Sequence, residues 1–471
     1  MKKALALVVL LAACRVGEDY VPPELTPPER FAGPTGAGQA EARWWAGFGD
    51  PLLDALIERA LAQNLELEIA AQRIREARAG VVFVGGDARP RGDLQAAGGQ
   101  REPSTSVAGG EFLPGDDSHF YSVGVDASWE LDLFGHTARA VEAAEAERDA
   151  LIEDGRAVLL SVLAEVARNY VELRGIEGEL ALVRADLVAR EDTLALVRAR
   201  AQAGLEDELD RARAEGQAAA ARARLPELER ERSARVHALG VLLGEWPAAL
   251  AEELLPTGFV PTPPELVPAA LPADVLRRRP DVRRAERELA RASAKTAEAI
   301  TELYPRISLD AAFGLESEHI GDIFDDASKA FSFGPSLVTP LFRGGVLRAA
   351  IQARDAQESQ AALRYQRAAL DALREVEDAL ARRARSAERL AALQQAAAAE
   401  RLARELAGER YRRGLDDFLP VLLAERSALV AESELARERT AYASATILVY
   451  KALGGGWDEL EGAAPALAAA R

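Results

Sequence analysis

The stretch YSVGVDASWELDLFG, residues 121–135, places apolar or aromatic side chains at every second position. Polar residues and one glycine alternate with Tyr121, Val123, Val125, Ala127, Trp129, Leu131 and Leu133. A period of two predicts a β-strand with one apolar face and one polar face. The residues that follow, 137–243, are typical of helix, so the apolar face needs a partner outside an ordinary helix–sheet core.

The composition favours long helices. Apolar residues make up 49% of the chain and aromatic residues only 6%, and Ala, Leu, Arg and Glu dominate, as in helical and coiled-coil proteins. The formal net charge is −18. Because phosphate binding needs a basic surface, this charge argues against a nucleic-acid partner.

The chain begins with two lysines and an apolar run, residues 4–13, that is too short to span a bilayer. This pattern predicts a lipoprotein signal peptide at 1–13. The run ends in LAAC, which resembles the bacterial lipobox, and Cys14 is the single cysteine of the chain. The resemblance implies that Cys14 carries covalent diacylglycerol and palmitate and that Arg15 gives no signal for inner-membrane retention. An ordinary signal peptide with an incidental cysteine is the alternative.

The second half of the chain repeats the first. QAGLEDELDRARAE (202–215) aligns with RRGLDDFLPVLLAE (412–425), so that Gly204 falls on Gly414. DLFGHTARA (132–140) aligns with PLFRGGVLRA (340–349). A period of about 210 residues is too long for a solenoid and predicts a duplicated unit. The predicted divisions are a lipidated N-terminal tether (14–43), a first repeat (44–253), a Pro-rich linker (254–272), a second repeat (273–457) and a C-terminal tail (458–471).

Each repeat combines two strands with a helical hairpin. The alternating stretches predict strands at about 92–101, 119–133, 305–316 and 329–341. Apolar residues spaced by threes, fours and sevens predict coiled-coil hairpins at about 137–243 and about 346–453. Gly204 and Gly414 are predicted to end the long helices at the hairpin tips, and Pro226 is expected to kink or restart the returning helix.

The predicted strands have the length needed to cross a membrane at a tilt. Four strands cannot close a barrel, but three copies of the chain would supply about twelve. We therefore expect the apolar face to contact lipid through Tyr121, Val123, Val125, Trp129, Phe313 and Phe333. The alternative is a soluble sheet that packs on its own helices.

Several stretches together resemble the TolC-like outer-membrane efflux proteins, and most closely their lipid-anchored, NodT-type subgroup, which serves resistance-nodulation-division (RND) pumps. The stretches are VGEDYVPP (16–23) after the lipobox, WWAGFGDPLLDALIERAL (44–61), the paired LFG and LFRGG, and YRRGLDDFLPVLLAERSAL (411–429).

The resemblance implies a membrane α/β barrel. A homotrimer would form a 12-stranded β-barrel in the bacterial outer membrane, continuous with a 12-helix coiled-coil barrel in the periplasm. The implied function is a passive exit duct for small molecules such as drugs. The implied partners are outer-membrane lipid, a periplasmic adaptor (membrane fusion protein) and an inner-membrane RND pump.

The resemblance also implies a periplasmic gate at the second hairpin tip. Tyr411, Gly414, Leu419 and Arg426 match the family's gate motif. The family commonly has an acidic ring where this chain has Leu423, and the nearby acids that could take its role are Asp416, Asp417 and Glu425. The alternative is a plain solvated cap on the hairpin.

No catalytic or metal-binding pattern accompanies these features. The four histidines are dispersed, and no nucleophile elbow, P-loop or dinucleotide fingerprint is present. We therefore expect no enzyme activity and no cofactor beyond the lipid on Cys14. The alternative functions are the outer-membrane duct of a type I protein secretion system and a non-pore periplasmic adaptor or coiled-coil lipoprotein.

Overall fold

The computed structural model describes residues 15–32, 43–101, 118–203, 207–254, 258–265, 267, 271–455, 457 and 467. Cys14, Gly204 and the predicted signal peptide 1–13 lie outside the described residues. The chain divides into two compact units. The sheet unit comprises Met1–Glu24, Arg75–Ala150 and Ala285–Tyr365. The hairpin unit comprises Leu25–Ile74, Leu151–Arg284 and Gln366–Arg471.

The described helices and strands follow a duplicated order. The first half contains α1 (Pro51–Gln63), α2 (Leu65–Gly85), β1 (Arg91–Arg101), β2 (Ser118–Leu131), α3 (His136–Gln202) and α4 (Glu208–Leu242). The second contains α5 (Pro272–Arg278), α6 (Pro280–Thr301), β3 (Arg306–Ser317), β4 (Lys329–Val338), α7 (Val346–Arg412) and α8 (Phe418–Ala452). The long helices α3 and α7 each have 67 residues, and the returning helices α4 and α8 each have 35.

Strand β2 ends earlier than its apolar alternation. The pattern continues to Leu133, but the strand stops at Leu131, because Asp132 turns toward the next helix. Its carboxylate accepts a hydrogen bond from the Ala138 amide at 2.8 Å, which satisfies one of the free N–H groups in the first turn of α3. Side-chain capping therefore overrides the period-two pattern at this end.

The four strands form one antiparallel sheet in the order β1-β2-β3-β4. Val125 lies opposite Leu94 on one side and Phe313 on the other, and Phe313 lies opposite Phe331. Because side chains alternate between the faces of a sheet, these residues share one face. Val125, Phe313 and Phe331 are 48%, 59% and 84% exposed, so the described residues leave this apolar face uncovered.

The opposite face of the sheet is polar and includes a close approach of two strands. Asp126 lies opposite Asp93 on β1 and Ala312 on β3. Gly124 and Gly314 are directly paired, and a Cβ atom on Gly314 would lie 2.9 Å from the Val123 carbonyl oxygen. Only glycine fits where the two backbones approach this closely.

The core of the hairpin unit surrounds a short 3₁₀ helix at Trp44–Phe48. Trp44 stacks on Tyr450 with ring centroids 5.2 Å apart. Asp50 caps α1 by accepting from the amides of Leu52 and Leu53 at 3.0 and 3.3 Å, as expected for Asp before a proline. The Tyr170 hydroxyl also donates to Asp50 at 2.7 Å, so the cap connects α1 to α3.

Helix α4 is continuous through Pro226, so it does not restart there, and the alternative of a kink at Pro226 stays a prediction. A proline removes one backbone hydrogen bond, but the turns on either side keep theirs. Within the described part of the chain, none of the helices is both long and apolar enough to cross a membrane.

Candidate functional site: the hairpin tip

The second hairpin reverses direction in a five-residue turn between Arg412 and Phe418. Gly414 adopts a φ of 71°, a left-handed conformation that favours glycine. The Gly414 amide donates to the Tyr411 carbonyl at 2.9 Å, and the Leu415 amide donates to the Arg410 carbonyl at 2.9 Å. These bonds satisfy the last carbonyls of α7, so Gly414 ends the long helix as the sequence predicts.

Tyr411 lies in a small core that joins the two hairpins. Its side chain is only 2% exposed, and its ring centroid lies 5.7 Å from that of Phe418. The Arg200 guanidinium carbon lies 4.7 Å from the centre of the Tyr411 ring, in the geometry of a cation–π contact. The other buried members of this core are Leu194, Val197, Ala214, Ala218 and Val421. Tyr411 therefore anchors the tip from inside and does not line an open surface.

Two of the three candidate acids are already engaged within the chain. Asp416 accepts from Arg410 at 2.5 and 3.2 Å, and this contact holds the pKa of Asp416 below its ordinary value. Glu425 accepts from the Thr193 hydroxyl at 3.3 Å, and burial raises the pKa of Glu425. Asp417 stands at the start of α8, is exposed and makes no capping hydrogen bond. Asp417 is therefore the most exposed of the three candidate acids.

The outer face of α8 near the tip carries Leu419, Leu423 and Arg426. Their spacing of four and three residues places them on one side of the helix. Leu419 is 47% exposed, Leu423 is 55% exposed, and Arg426 is exposed as well. Within the described residues Arg426 makes no ion pair. The structure thus brings these three side chains together and separates them from the buried Tyr411.

A buried polar network connects the hairpins behind this face. Arg190 of α3 is buried and donates to Asp186 at 2.6 Å and to Gln217 of α4. The positive charge of Arg190 also acts on Glu425 of α8. The sequence did not lead us to predict this network, although the position of Arg190 in the coiled-coil seam indicates it. Position 190 lies seven residues after Val183 and seven before Val197, which are both buried seam positions, and a charged residue at a seam position is unusual.

Over the described residues, these features define a protein with a duplicated sheet-and-hairpin unit and an exposed apolar sheet face. The sequence profile of a family described as outer membrane efflux protein matches residues 56–245 and 271–455. The chain belongs to this family, whose members are outer-membrane efflux channels and not enzymes. It is an efflux component of the outer membrane that extends into the periplasm.

Individual relatives agree over nearly the full length. Nodulation protein T of Rhizobium leguminosarum bv. trifolii is 31% identical over 458 residues, which cover 96% of each chain. Outer membrane protein OprJ of Pseudomonas aeruginosa is 33% identical, with 97% of this chain and 96% of that protein covered. The solved structure of the outer-membrane channel OprN is 33% identical, with a TM-score of 0.87 over 94% of this chain and 100% of that one.

The predicted resemblance to NodT-type efflux proteins is thereby confirmed. The efflux function is confirmed with it, over the alternatives of a type I secretion duct and a non-pore adaptor.

Proposed function

We propose that three copies of this chain form the passive exit duct of a tripartite efflux pump. Each copy supplies four strands and four long helices, so three copies supply twelve of each. The strands would close a β-barrel in the outer membrane, and the helices would form a coiled-coil barrel in the periplasm. A periplasmic adaptor and an inner-membrane RND pump would deliver small molecules such as drugs to this duct.

One observation carries the proposal: the apolar face of the sheet is uncovered and the sheet has free edges. Within the described residues β1 and β4 are the edge strands, and their unpaired N–H and C=O groups are not tolerated in lipid. Pairing β4 of one copy with β1 of the next would remove every edge. The row from Leu94 through Val125 and Phe313 to Phe331 would then face lipid, and the acidic row containing Asp93 and Asp126 would face the lumen.

The tip geometry supports a closed periplasmic end. Three copies would bring the exposed Leu419 and Leu423 of each α8 around one axis, where apolar side chains resist wetting. Asp417 and Arg426 are exposed and free to pair between neighbouring tips. An exposed pair contributes about 0–1 kcal/mol, which an adaptor could overcome on docking. Palmitate and diacylglycerol on Cys14 would anchor each copy to the outer membrane.

A pair of arginine substitutions on opposite faces of one strand tests the barrel. Val125→Arg places a charge on the proposed lipid face and should block assembly, at about 2–4 kcal/mol near the bilayer midplane. Ser128→Arg places the same side chain on the polar face of the same strand, opposite Asp310, and should assemble. The measurement is trimer yield in outer-membrane extracts. Equal yields for the two variants would contradict the assignment of the faces.

A further inference from the structure

Residues 15–20 make specific contacts within the sheet unit, whereas the sequence predicts an extended tether over 14–43. The Val16 amide donates to the Phe134 carbonyl at 3.2 Å. Arg15 reaches the Ala138 carbonyl at 3.5 Å and covers the open side of Gly135, where its Cγ would lie 3.3 Å from an added Cβ. The segment therefore follows the junction between β2 and α3.

Arg139, in the first turn of α3, holds this segment through three polar contacts. Its Nε donates to the Val16 carbonyl at 3.3 Å, and its Nη2 donates to the Gly17 carbonyl at 2.9 Å. Its Nη1 pairs with Asp19 at 3.0 Å and with Glu142 at 2.8 Å. The Arg139 side chain is 1% exposed, and a buried guanidinium is tolerated only when its donors are satisfied. Three of these four partners belong to the segment, so the segment and Arg139 stabilise each other.

Gly17 adds a steric requirement that is independent of charge. Its φ is +90°, a conformation that other L-residues rarely adopt. A Cβ atom at this position would lie 2.8 Å from the Cβ of Ala297 on α6. The segment can therefore lie in this groove only with glycine at position 17. We call the contacts of Val16, Gly17 and Asp19 with Arg139, together with the fit of Gly17 on Ala297, the N-terminal clasp.

We propose that the N-terminal clasp fixes the start of the mature chain to the β2–α3 junction, with Arg139 as its positioning residue. A lipid on Cys14 would then enter the membrane beside this junction. If residues 15–43 formed a flexible tether, the lipid could move over roughly 30 Å. With the clasp formed, Cys14 directly precedes the fixed residue Arg15, and consecutive Cα atoms are only about 3.8 Å apart. Only the lipid part of this inference rests on the proposed lipidation; the clasp itself does not.

Trypsin cleavage after Arg15 measures the clasp in the native trimer. We expect the Arg15–Val16 bond to be protected in the wild type and to be cut at least about tenfold faster in Arg139→Gln, because the segment then leaves its groove. Arg148→Gln is the matched control, since Arg148 lies on the same helix and pairs with its neighbour Asp149. Equal cleavage rates in the wild type and Arg139→Gln, with both trimers intact, would overturn the proposal.

Gly17→Ala is a second variant that tests the clasp, and it leaves every charge in place. It should also speed cleavage after Arg15, and an unchanged rate would count against the clasp even if Arg139→Gln failed to assemble. Cys14 is the chain's single cysteine, so protein exported without lipidation can carry one nitroxide there. We expect a restricted spectrum in the wild type and a mobile one in Arg139→Gln. A mobile spectrum in both would overturn the proposal.

Palmitate incorporation separates the two parts of the inference. A labelled wild type with a protected Arg15–Val16 bond supports both the clasp and the placement of the lipid. An unlabelled wild type would overturn the lipid placement and the proposed anchor, while the cleavage rates would still decide whether the clasp exists.

Discussion

Glu425 shows how a single side chain at the tip responds to its surroundings. Burial is the largest influence and raises its pKa, while Arg190, the Thr193 hydroxyl and Arg404 act in the opposite direction and Asp186 adds to the rise. The folded protein therefore binds a proton at Glu425 more tightly than the unfolded chain does. By linkage, the contribution of this group to stability falls as pH rises from its ordinary value through the raised one.

Glu425→Gln should therefore stabilise the protein at pH 7 and flatten the dependence of its unfolding temperature on pH between 5 and 7. The amide keeps the shape and can still accept from Thr193, but it carries no charge to bury. Asp416→Asn is the control of opposite sign, because Arg410 lowers the pKa of Asp416 and its charge is favourable at pH 7. Thermal unfolding in detergent measures both. A lower unfolding temperature for Glu425→Gln at pH 7 would contradict this account.

The second prediction about a single residue is the lipidation of Cys14. Metabolic labelling with palmitate should mark the wild type and leave Cys14→Ala unlabelled. Because the proposed barrel inserts through its own apolar face, the unlabelled variant should still reach the outer membrane at reduced yield. A wild type without label would remove the anchor from the proposed function.

Sequence alone could predict some of these residues and not others. Gly414 was predictable because a positive φ at the end of a helix requires glycine. The burial of Tyr411 and the pairing of Arg410 with Asp416 were not, because they depend on how the second hairpin packs and turns. Arg190 could have been noticed from its seam position, but its partners lie on α3, α4 and α8, and no local pattern joins those helices.

Helices α3 and α8 of the two hairpins approach each other closely at Gly175 and Thr440. A Cβ atom on Gly175 would lie 2.3 Å from the Thr440 hydroxyl oxygen. One turn further along, Arg437 binds Glu179 through two contacts of 3.1 Å. A glycine and a two-point ion pair therefore fix the register of these helices.

Gly175→Ala should destabilise the protein by about 1–3 kcal/mol, the usual range for overpacking a tight contact. Gly178→Ala is the matched control on the same helix, because its added Cβ would meet nothing within 4 Å. That change should be neutral or stabilising by up to about 1 kcal/mol, since alanine favours helix over glycine. Denaturant unfolding measures both, and similar losses in the two variants would show that the crossing is not the cause.

Sequence periodicity predicted most of the helices and strands, but not where they end or which tertiary contacts they make. The strand and hairpin regions follow from spacings of two and of three to four residues. The end of β2 depends on Asp132 as a cap, and the path through Pro226 depends on the turns around it. The docking of residues 15–20 was not readable, because Arg139 and Gly17 are matched only in three dimensions.

The chain is built from a duplicated unit, and its two helical hairpins have helices of the same lengths but different residues at the tip. Helices α3 and α7 match in length, as do α4 and α8. The start of α8 exposes Leu419 and Leu423. Their counterparts in the aligned first hairpin are Leu209 and Arg213, so the first tip has a charged residue in place of the second leucine. We therefore place the proposed apolar constriction at the second hairpin.

Replacing Leu419 and Leu423 together by Ala should widen that constriction and raise single-channel conductance in planar bilayers. Arg426→Glu should act in the same direction by removing a pairing partner for Asp417 of a neighbouring tip. Ser122→Ala, on the polar face of β2, is the control and should leave conductance unchanged. If both tip variants assemble and conduct like the wild type, the constriction lies elsewhere.

The mass of the detergent-extracted complex, measured by light scattering, tests most directly whether three chains share one barrel. A sheet with two free edges and an uncovered apolar face cannot be stable in lipid alone, so we expect a protein mass of three chains. A monodisperse monomer that retains its strands would contradict the shared barrel.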